Sequence, residues 1–149
     1  MEKAIIFDWV GTLYKFNSDG GGFFDYSEKV VSGAKHRGYK IAVLSRVDYK
    51  DIEKRKKQIS KLEDYIDWII IDTYKSQKQF MECIEQLHSK PKNTVVVGDR
   101  AYSEIRIGNI IGCKTAWIQN GKYASELPNK KSGKPTYIID SAKDLLEVL

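Results

Sequence analysis

The chain has 149 residues, the length of one domain, and we expect residues 1–149 to form a single domain. A hydrophobic fraction of 42% and a charged fraction of 30% supply a core and exclude an intrinsically disordered chain. The net charge of +5 permits anionic ligands without requiring nucleic acid. The two cysteines, Cys83 and Cys113, are too few for a disulfide framework and lack the spacing of a zinc site.

Short runs of apolar and β-branched residues predict six strands. Most of these runs are continuous rather than alternating, which is typical of strands buried on both faces. The predicted strands, in chain order, are Ala4–Asp8, Ile41–Ser45, Trp68–Asp72, Thr94–Val97, Thr115–Ile118 and Thr136–Ile139.

Amphipathic stretches between the strands predict five helices. They are Asp25–His36, Asp48–Leu62, Ser76–Ser89, Ala101–Ile111 and Ser141–Val148. Strands that alternate with helices of this length indicate βαβ units and a parallel sheet. The predicted fold class is therefore α/β, with a Rossmann-like parallel sheet in a three-layer α/β/α sandwich.

The sequence also predicts the compartment. No apolar run approaches the about 20 residues of a membrane span. The short apolar run near the N-terminus is interrupted by Asp8, which is unlike a signal peptide. We therefore expect a cytoplasmic protein with no membrane partner.

Polar residues follow four of the predicted strands, at or just after the carboxyl ends. Asp8 ends the first strand, Ser45 the second, Lys75 follows the third, and Gly98-Asp99 follows the fourth. The carboxyl ends of parallel strands converge on one crevice, where open α/β sheets bind ligands.

These residue types indicate a site for a phosphate group and a cation. Asp8 and Asp99 are hard oxygen ligands on neighbouring strands and suit Mg²⁺. Ser45 and Lys75 can donate hydrogen bonds to phosphoryl oxygens, and backbone amides around Gly11 and Thr12 can complete a cradle. An Asp carboxylate can also act as a nucleophile.

The same residues resemble a known family. The run Phe7-Asp8-Trp9-Val10-Gly11-Thr12-Leu13 resembles the first motif of the haloacid dehalogenase-like (HAD) hydrolase superfamily. Ser45 resembles its second motif, Lys75 its third, and Val97-Gly98-Asp99 with Glu104-Ile105 its fourth. The motifs occur in the same order, and the likeness extends from Ile5 to Ile118.

The resemblance implies a Mg²⁺-dependent phosphomonoester phosphatase that works through an aspartyl-phosphate. Asp8 would attack phosphorus and also bind the metal. Thr12 would hydrogen-bond near Asp8, Ser45 would donate to the phosphoryl group, and Lys75 would neutralise the charge of Asp8. These implied roles leave the metal to four residues: Asp8, Asp99, Glu104 and the backbone carbonyl of Val10.

One position departs from the family pattern. Most phosphatases of the superfamily carry a second Asp two residues after the nucleophile as general acid and base, and this chain has Val10 there. General acid–base catalysis is worth about 10²–10⁴-fold, so we expect slow hydrolysis. Tyr14 and Asp19 are candidate replacements. An alternative is a catalytically impaired module of the same fold that binds a phosphate ligand or has a regulatory role.

The spacing between motifs also predicts a core without a cap domain. One loop, one helix and one strand fill the segment from Asp8 to Ser45, and one helix and one strand fill that from Ser45 to Lys75. The resemblance then implies an open site that accepts a phosphorylated small molecule or macromolecule.

Several assignments remain open at this stage. Lys78 competes with Lys75 for the role of the site lysine. Arg46 is a candidate for substrate binding, together with Gly11 and Ser45. The basic run Lys54–Lys57 is interpreted as a solvated helix face, and nucleic acid is the less favoured explanation for it.

Overall fold

Six parallel strands form the central sheet in the computed structural model, which describes every residue from Met1 to Leu149. The strands are β1 (Ala4–Phe7), β2 (Lys40–Arg46), β3 (Trp68–Asp72), β4 (Thr94–Gly98), β5 (Lys114–Ile118) and β6 (Tyr137–Ile139). They lie in the order β3-β2-β1-β4-β5-β6. The predicted Rossmann-like parallel sheet is confirmed.

Helices follow the strands, and several begin later than the sequence indicates. They are α1 (Ser27–His36), α2 (Ile52–Ser60), α3 (Gln77–Gln86), α4 (Arg106–Ile111) and α5 (Leu145–Val148). The predicted helix Asp48–Leu62 starts with a 3₁₀ turn, Tyr49–Asp51. The predicted helix Ala101–Ile111 starts with a π-helical turn, Ala101–Ile105, so its first part is wider than a regular α-helix.

Two apolar layers enclose the sheet. One layer packs α1 and α5 on the face that carries Phe7 and Val43, with Trp9 and Leu13 from the loop after β1. The other packs α3 against the opposite face, which carries Ile6 and Leu44. Side chains alternate between the two faces of a strand, so each short apolar strand contributes to both layers.

The sheet order reverses between β1 and β4. From β1 the chain proceeds to β2 and β3 on one side, and from β4 to β5 and β6 on the other. Phe7 is in register with Val97 across this junction, so the residues after both strands leave the sheet side by side. Open α/β sheets bind ligands at such a reversal.

The connections from β1 to β2 and from β2 to β3 are short. One short 3₁₀ turn and α1 join β1 to β2, and α2 with two 3₁₀ turns joins β2 to β3. Neither connection holds an additional domain. None of the helices combines the length and the apolar composition that crossing a membrane requires.

Candidate active site

Asp8 is the first residue after β1, and hydrogen bonds fix the backbone at Asp8 and in the turn that follows it. Its backbone N–H donates to the Val97 carbonyl at 2.9 Å, which extends the β1–β4 ladder by one residue. The chain then turns tightly, because the Trp9 carbonyl accepts hydrogen bonds from the backbone N–H groups of Thr12, Leu13 and Tyr14. The buried Trp9 ring anchors this turn in the core.

Two more carboxylates reach the same place from the segment after β4. Asp99 and Glu104 are both buried, and the Asp99 backbone carbonyl accepts a hydrogen bond from the Trp117 indole at 3.0 Å. The π-helical turn carries Glu104 back towards the end of β4.

Two glycines make room for these carboxylates. A Cβ atom on Gly11, whose φ is +85°, would overlap the Asp99 carboxylate. A Cβ atom on Gly98 would overlap the Glu104 side chain. The backbone therefore approaches both acids more closely than any residue with a side chain permits.

Lys75 brings the positive charge to this cluster. Its Nζ donates to Asp8 Oδ1 at 2.7 Å and lies 3.5 Å from Glu104 Oε2, with only 6% of the side chain exposed. Lys78, the competing candidate, is exposed. Burial alone would lower the pKa of Lys75, but the charges of Asp8 and Glu104 outweigh it and raise that pKa.

The turn that positions Lys75 is fixed by a capping box. Ser76 caps α3: its side chain accepts from the Gln79 backbone, and Gln79 Oε1 accepts from the Ser76 N–H at 2.8 Å. The Gln79 amide also donates to Asp72 at the end of β3. Lys75 therefore lies between two ordered elements rather than in a free loop.

The three carboxylates form a cluster that fits a divalent cation. Ligand oxygens of Asp8, Asp99 and Glu104 all lie within 4.8 Å of one another, and oxygens on opposite sides of Mg²⁺ are about 4 Å apart. Asp99 Oδ2 and Glu104 Oε1 are buried without a hydrogen-bond partner. The Val10 carbonyl accepts no backbone hydrogen bond. These free oxygens are the donors that a hard cation requires.

The electrostatics of the cluster are unfavourable in the absence of a cation. Burial raises the pKa of Asp99 and of Glu104, and the neighbouring charge of Asp8 raises both further. A bound divalent cation would remove this penalty because it neutralises charges that Lys75 alone cannot balance.

The side of the site nearest β2 carries guanidinium groups as well as carboxylates. Ser45 is buried at the end of β2, and its Oγ accepts from Arg55 Nη1 at 2.5 Å. Arg55 Nε donates to Gln58 Oε1 at 3.0 Å, and that oxygen also accepts from the Trp9 indole at 3.1 Å. One chain of hydrogen bonds thus links Ser45, through α2, to the residue after Asp8.

An open cleft of about 300 Å³ joins the two sides. Asp8, Lys75, Asp99 and Glu104 line it together with Val10, and the arginines Arg46, Arg55 and Arg100 surround them. Arg100 pairs with Glu126 at 3.1 Å and lies over the Tyr123 ring. Sequence reasoning missed Arg55: the solvated-face interpretation is wrong for this half-buried residue, although its neighbours Lys54, Lys56 and Lys57 are exposed.

Other predicted site residues lie elsewhere. Thr12 is buried, but its hydroxyl has no hydrogen-bond partner, so the hydrogen bond expected near Asp8 is not formed. Gly11 lines a neighbouring cavity and contributes by its close approach to Asp99. Tyr14 stacks on Trp9, and the exposed Asp19 borders that neighbouring cavity; neither lines the cleft that contains Asp8.

Comparisons with known proteins identify the family. A family model described as HAD-hydrolase-like matches residues 75–145, which include Lys75, Asp99 and Glu104. A glyceraldehyde 3-phosphate phosphatase of Pyrococcus furiosus is 30% identical over 129 residues, which are 83% of this chain and 52% of that protein. The chain belongs to the haloacid dehalogenase-like superfamily. It spans about half the length of this curated relative.

Solved HAD structures share the whole fold. A HAD phosphatase from Thermococcus onnurineus superposes with a TM-score of 0.76 at 16% identity, covering 98% of this chain and 97% of that one. A D,D-heptose 1,7-bisphosphate phosphatase from B. bronchiseptica, complexed with magnesium and phosphate, gives 0.74 at 12% identity and covers 99% of both chains. At these identities the likeness supports the fold alone.

Proposed function

We propose that this HAD protein is a Mg²⁺-dependent phosphatase that hydrolyses phosphate esters through an aspartyl-phosphate on Asp8. The observation that carries the proposal is the buried contact between Lys75 and Asp8 inside a cluster of three carboxylates at the reversal of the sheet. A carboxylate held by a lysine beside a cation site is oriented as a nucleophile for phosphorus.

The residues of the chain supply most of the chemistry. Lys75 fixes the Asp8 carboxylate and offsets negative charge as the phosphoryl group arrives. One Asp8 oxygen attacks phosphorus, the bond from phosphorus to the ester oxygen breaks, and that oxygen takes a proton from solvent. Water then attacks phosphorus, releasing phosphate and restoring Asp8. Ser45, held by Arg55, donates to a phosphoryl oxygen.

Mg²⁺ is the cofactor that suits the cluster. Asp8, Asp99, Glu104 and the Val10 carbonyl would hold it. When bound, it would offset charge on the phosphoryl oxygens. The orphaned oxygens of Asp99 and Glu104 support this assignment.

Val10 predicts slow turnover and keeps a second function open. Its alkyl side chain lines the cleft and cannot transfer a proton. A module that binds a phosphate ligand with little turnover is therefore the alternative. The two differ in one measurable property, Mg²⁺-dependent release of phosphate.

The test is a phosphatase assay on the wild type, Asp8→Asn and Val10→Asp, with a panel of phosphate esters that includes glyceraldehyde 3-phosphate. We expect slow, EDTA-sensitive release by the wild type, none by Asp8→Asn, and an increase of about 10²–10⁴-fold in Val10→Asp. Mg²⁺-dependent phosphate binding without turnover in any variant would favour the binding module. Activity in Asp8→Asn equal to that of the wild type would show that Asp8 is not the nucleophile.

A further inference from the structure

Few groups along the cleft can protonate a leaving group. Val10 offers only an alkyl side chain, and guanidinium groups such as those of Arg46 and Arg55 are poor proton donors. Lys75 is engaged with Asp8 and Glu104. The charged side chains on the β2 side of the cleft are these two arginines and two carboxylic acids.

The carboxylic acids of the cleft either belong to the buried carboxylate cluster or lie in the segment that leads into α2. Asp99 and Glu104 are buried in the carboxylate cluster. Asp48 and Asp51 belong to the segment that leads into α2, and neither forms an ion pair. Together with the hydroxyl of Tyr123, which also lines the cleft, these two are the remaining candidates for a general acid.

Arg55 is a half-buried cation without an anionic partner. Its Nη1 donates to Ser45 Oγ and to the Arg46 carbonyl, and its Nε donates to Gln58, but no carboxylate pairs with it. Nη2 makes no hydrogen bond within the protein. The charges of Asp8 and Asp51 act on Arg55 from beyond ion-pair distance, but burial outweighs them and lowers its pKa, so a closer anion in the cleft would stabilise the guanidinium. Arg55 also lines a second cavity beside Val10, so it flanks the position of the missing acid.

The nature of the leaving group decides how much this arrangement matters. An alkyl ester must release a strongly basic alkoxide, for which acid assistance is worth about 10²–10⁴-fold. An acyl phosphate or a phosphoanhydride releases a carboxylate or a phosphate, which is already a stable anion. A fixed guanidinium stabilises such an anion as its charge develops.

We propose that this cleft selects phosphorylated substrates whose leaving group is a stable anion, with acyl phosphates as the type case and Arg55 as the residue that receives the departing charge. The inference rests on the proposed function, since Asp8 must be the nucleophile. Asp8 attacks phosphorus, the bond between phosphorus and the acyl oxygen breaks, and the carboxylate leaves with the electron pair and needs no proton. Arg55 Nη2 donates to the leaving oxygen.

Acetyl phosphate and ethyl phosphate make a matched substrate pair, because they differ mainly in the carbonyl group. The measured quantity is kcat/KM, which reports phosphorylation of Asp8 even when later hydrolysis is slow. We expect Val10→Asp to raise kcat/KM for ethyl phosphate by about 10²–10⁴-fold and to change it less than about 10-fold for acetyl phosphate. An equal gain for both substrates would overturn the proposal.

Substitutions at Arg55 test the second part. Arg55→Gln should lower kcat/KM for acetyl phosphate by about 10²-fold, and Arg55→Lys should recover part of that loss. Lys57→Gln is the matched control, since it removes one charge from an exposed position of the same helix. A folded Arg55→Gln with wild-type kcat/KM would contradict the role of Arg55.

The remaining acids provide the opposing outcome. Asp48→Asn, Asp51→Asn and Tyr123→Phe should each affect the two substrates equally. Selective loss of ethyl phosphate hydrolysis in any one of them would identify that residue as the acid and overturn the inference.

A covalent readout separates this inference from the proposed function. Acid-quenched wild type should carry a phosphoryl group after acetyl phosphate, and Asp8→Asn should not. If neither substrate phosphorylates the wild type or Val10→Asp, the proposed function itself fails. If the wild type reacts equally well with both substrates, only the selectivity for stable anions fails.

Discussion

The two sides of the cleft differ in charge, burial and packing. On the β4 side, Asp99 and Glu104 are buried, and each has one carboxylate oxygen without a hydrogen-bond partner. Gly11 and Gly98 leave the space that these two side chains occupy. The β2 side holds Arg46 and Arg55, which are more exposed and form no ion pair, beside Asp48 and Asp51. We call the first the cation side and the second the anion side, after the unpaired oxygens of the one and the unpaired guanidinium groups of the other. Asp8 and Lys75 lie between them, where a phosphoryl group can contact both.

We expect the substitution of Lys75, which lies between the two sides, to have the largest effect on stability. In Lys75→Met the carboxylates of Asp8 and Glu104 lose their buried counter-ion, and breaking a buried pair costs about 3–5 kcal/mol. Chemical denaturation without metal should reveal this loss. Lys78→Met is the control: it alters an exposed lysine three residues away and should change stability by less than about 0.5 kcal/mol. Equal losses in both variants would contradict the assignment of Lys75.

A methyl group on Gly98 disturbs only the cation side. The new Cβ of Gly98→Ala would overlap Glu104 and push its carboxylate away from Asp8 and Asp99. We expect Mg²⁺ affinity, measured by calorimetry, to fall by about 10–100-fold, the usual effect of displacing groups that orient metal ligands.

The control for Gly98→Ala is Gly33→Ala in α1. There a Cβ meets only the flexible end of the Leu146 side chain, far from the cleft, and Mg²⁺ affinity should stay unchanged. Unaltered affinity in Gly98→Ala would show that Glu104 takes no part in holding the ion.

We expect the substitution of Gln58 to have the smallest effect on stability and to affect only the anion side. Gln58→Met removes the acceptor shared by the Trp9 indole and Arg55 Nε. A lost hydrogen bond of this kind costs about 1 kcal/mol, or about 2–4 °C in the thermal midpoint for a chain of this size. Gln86→Met, at an exposed position of α3, should leave the midpoint unchanged. Mg²⁺ affinity should be the same in both variants.

The sequence predicts the cation side better than the anion side, for a physical reason. Asp8 and Asp99 directly follow the ends of neighbouring strands, so strand order alone brings them together. Arg55 lies one helix turn into α2, and its direction depends on where that helix begins. The predicted start at Asp48 ignored the 3₁₀ turn Tyr49–Asp51, and in sequence the basic run has no feature that separates Arg55 from its neighbours.

For single side chains, local hydrogen bonds decide an orientation that the sequence does not predict. The resemblance implies a hydrogen bond from Thr12 near Asp8, yet the Thr12 hydroxyl forms no hydrogen bond while its backbone N–H donates to the Trp9 carbonyl. Lys75 could be favoured over Lys78 by spacing, but only the capping box at Ser76 explains why its side chain turns inward. Such choices depend on packing that a linear pattern does not contain.

The π-helical turn at Ala101–Ile105 has an evolutionary consequence. A π turn accommodates one residue more than a regular helix, so a single-residue deletion there would restore ordinary winding. Each residue of an α-helix advances by about 100°, and Glu104 would rotate off the cluster while α4 kept its place against the sheet. One codon gained or lost would then move one carboxylate into or out of the cluster in a lineage without rebuilding the fold.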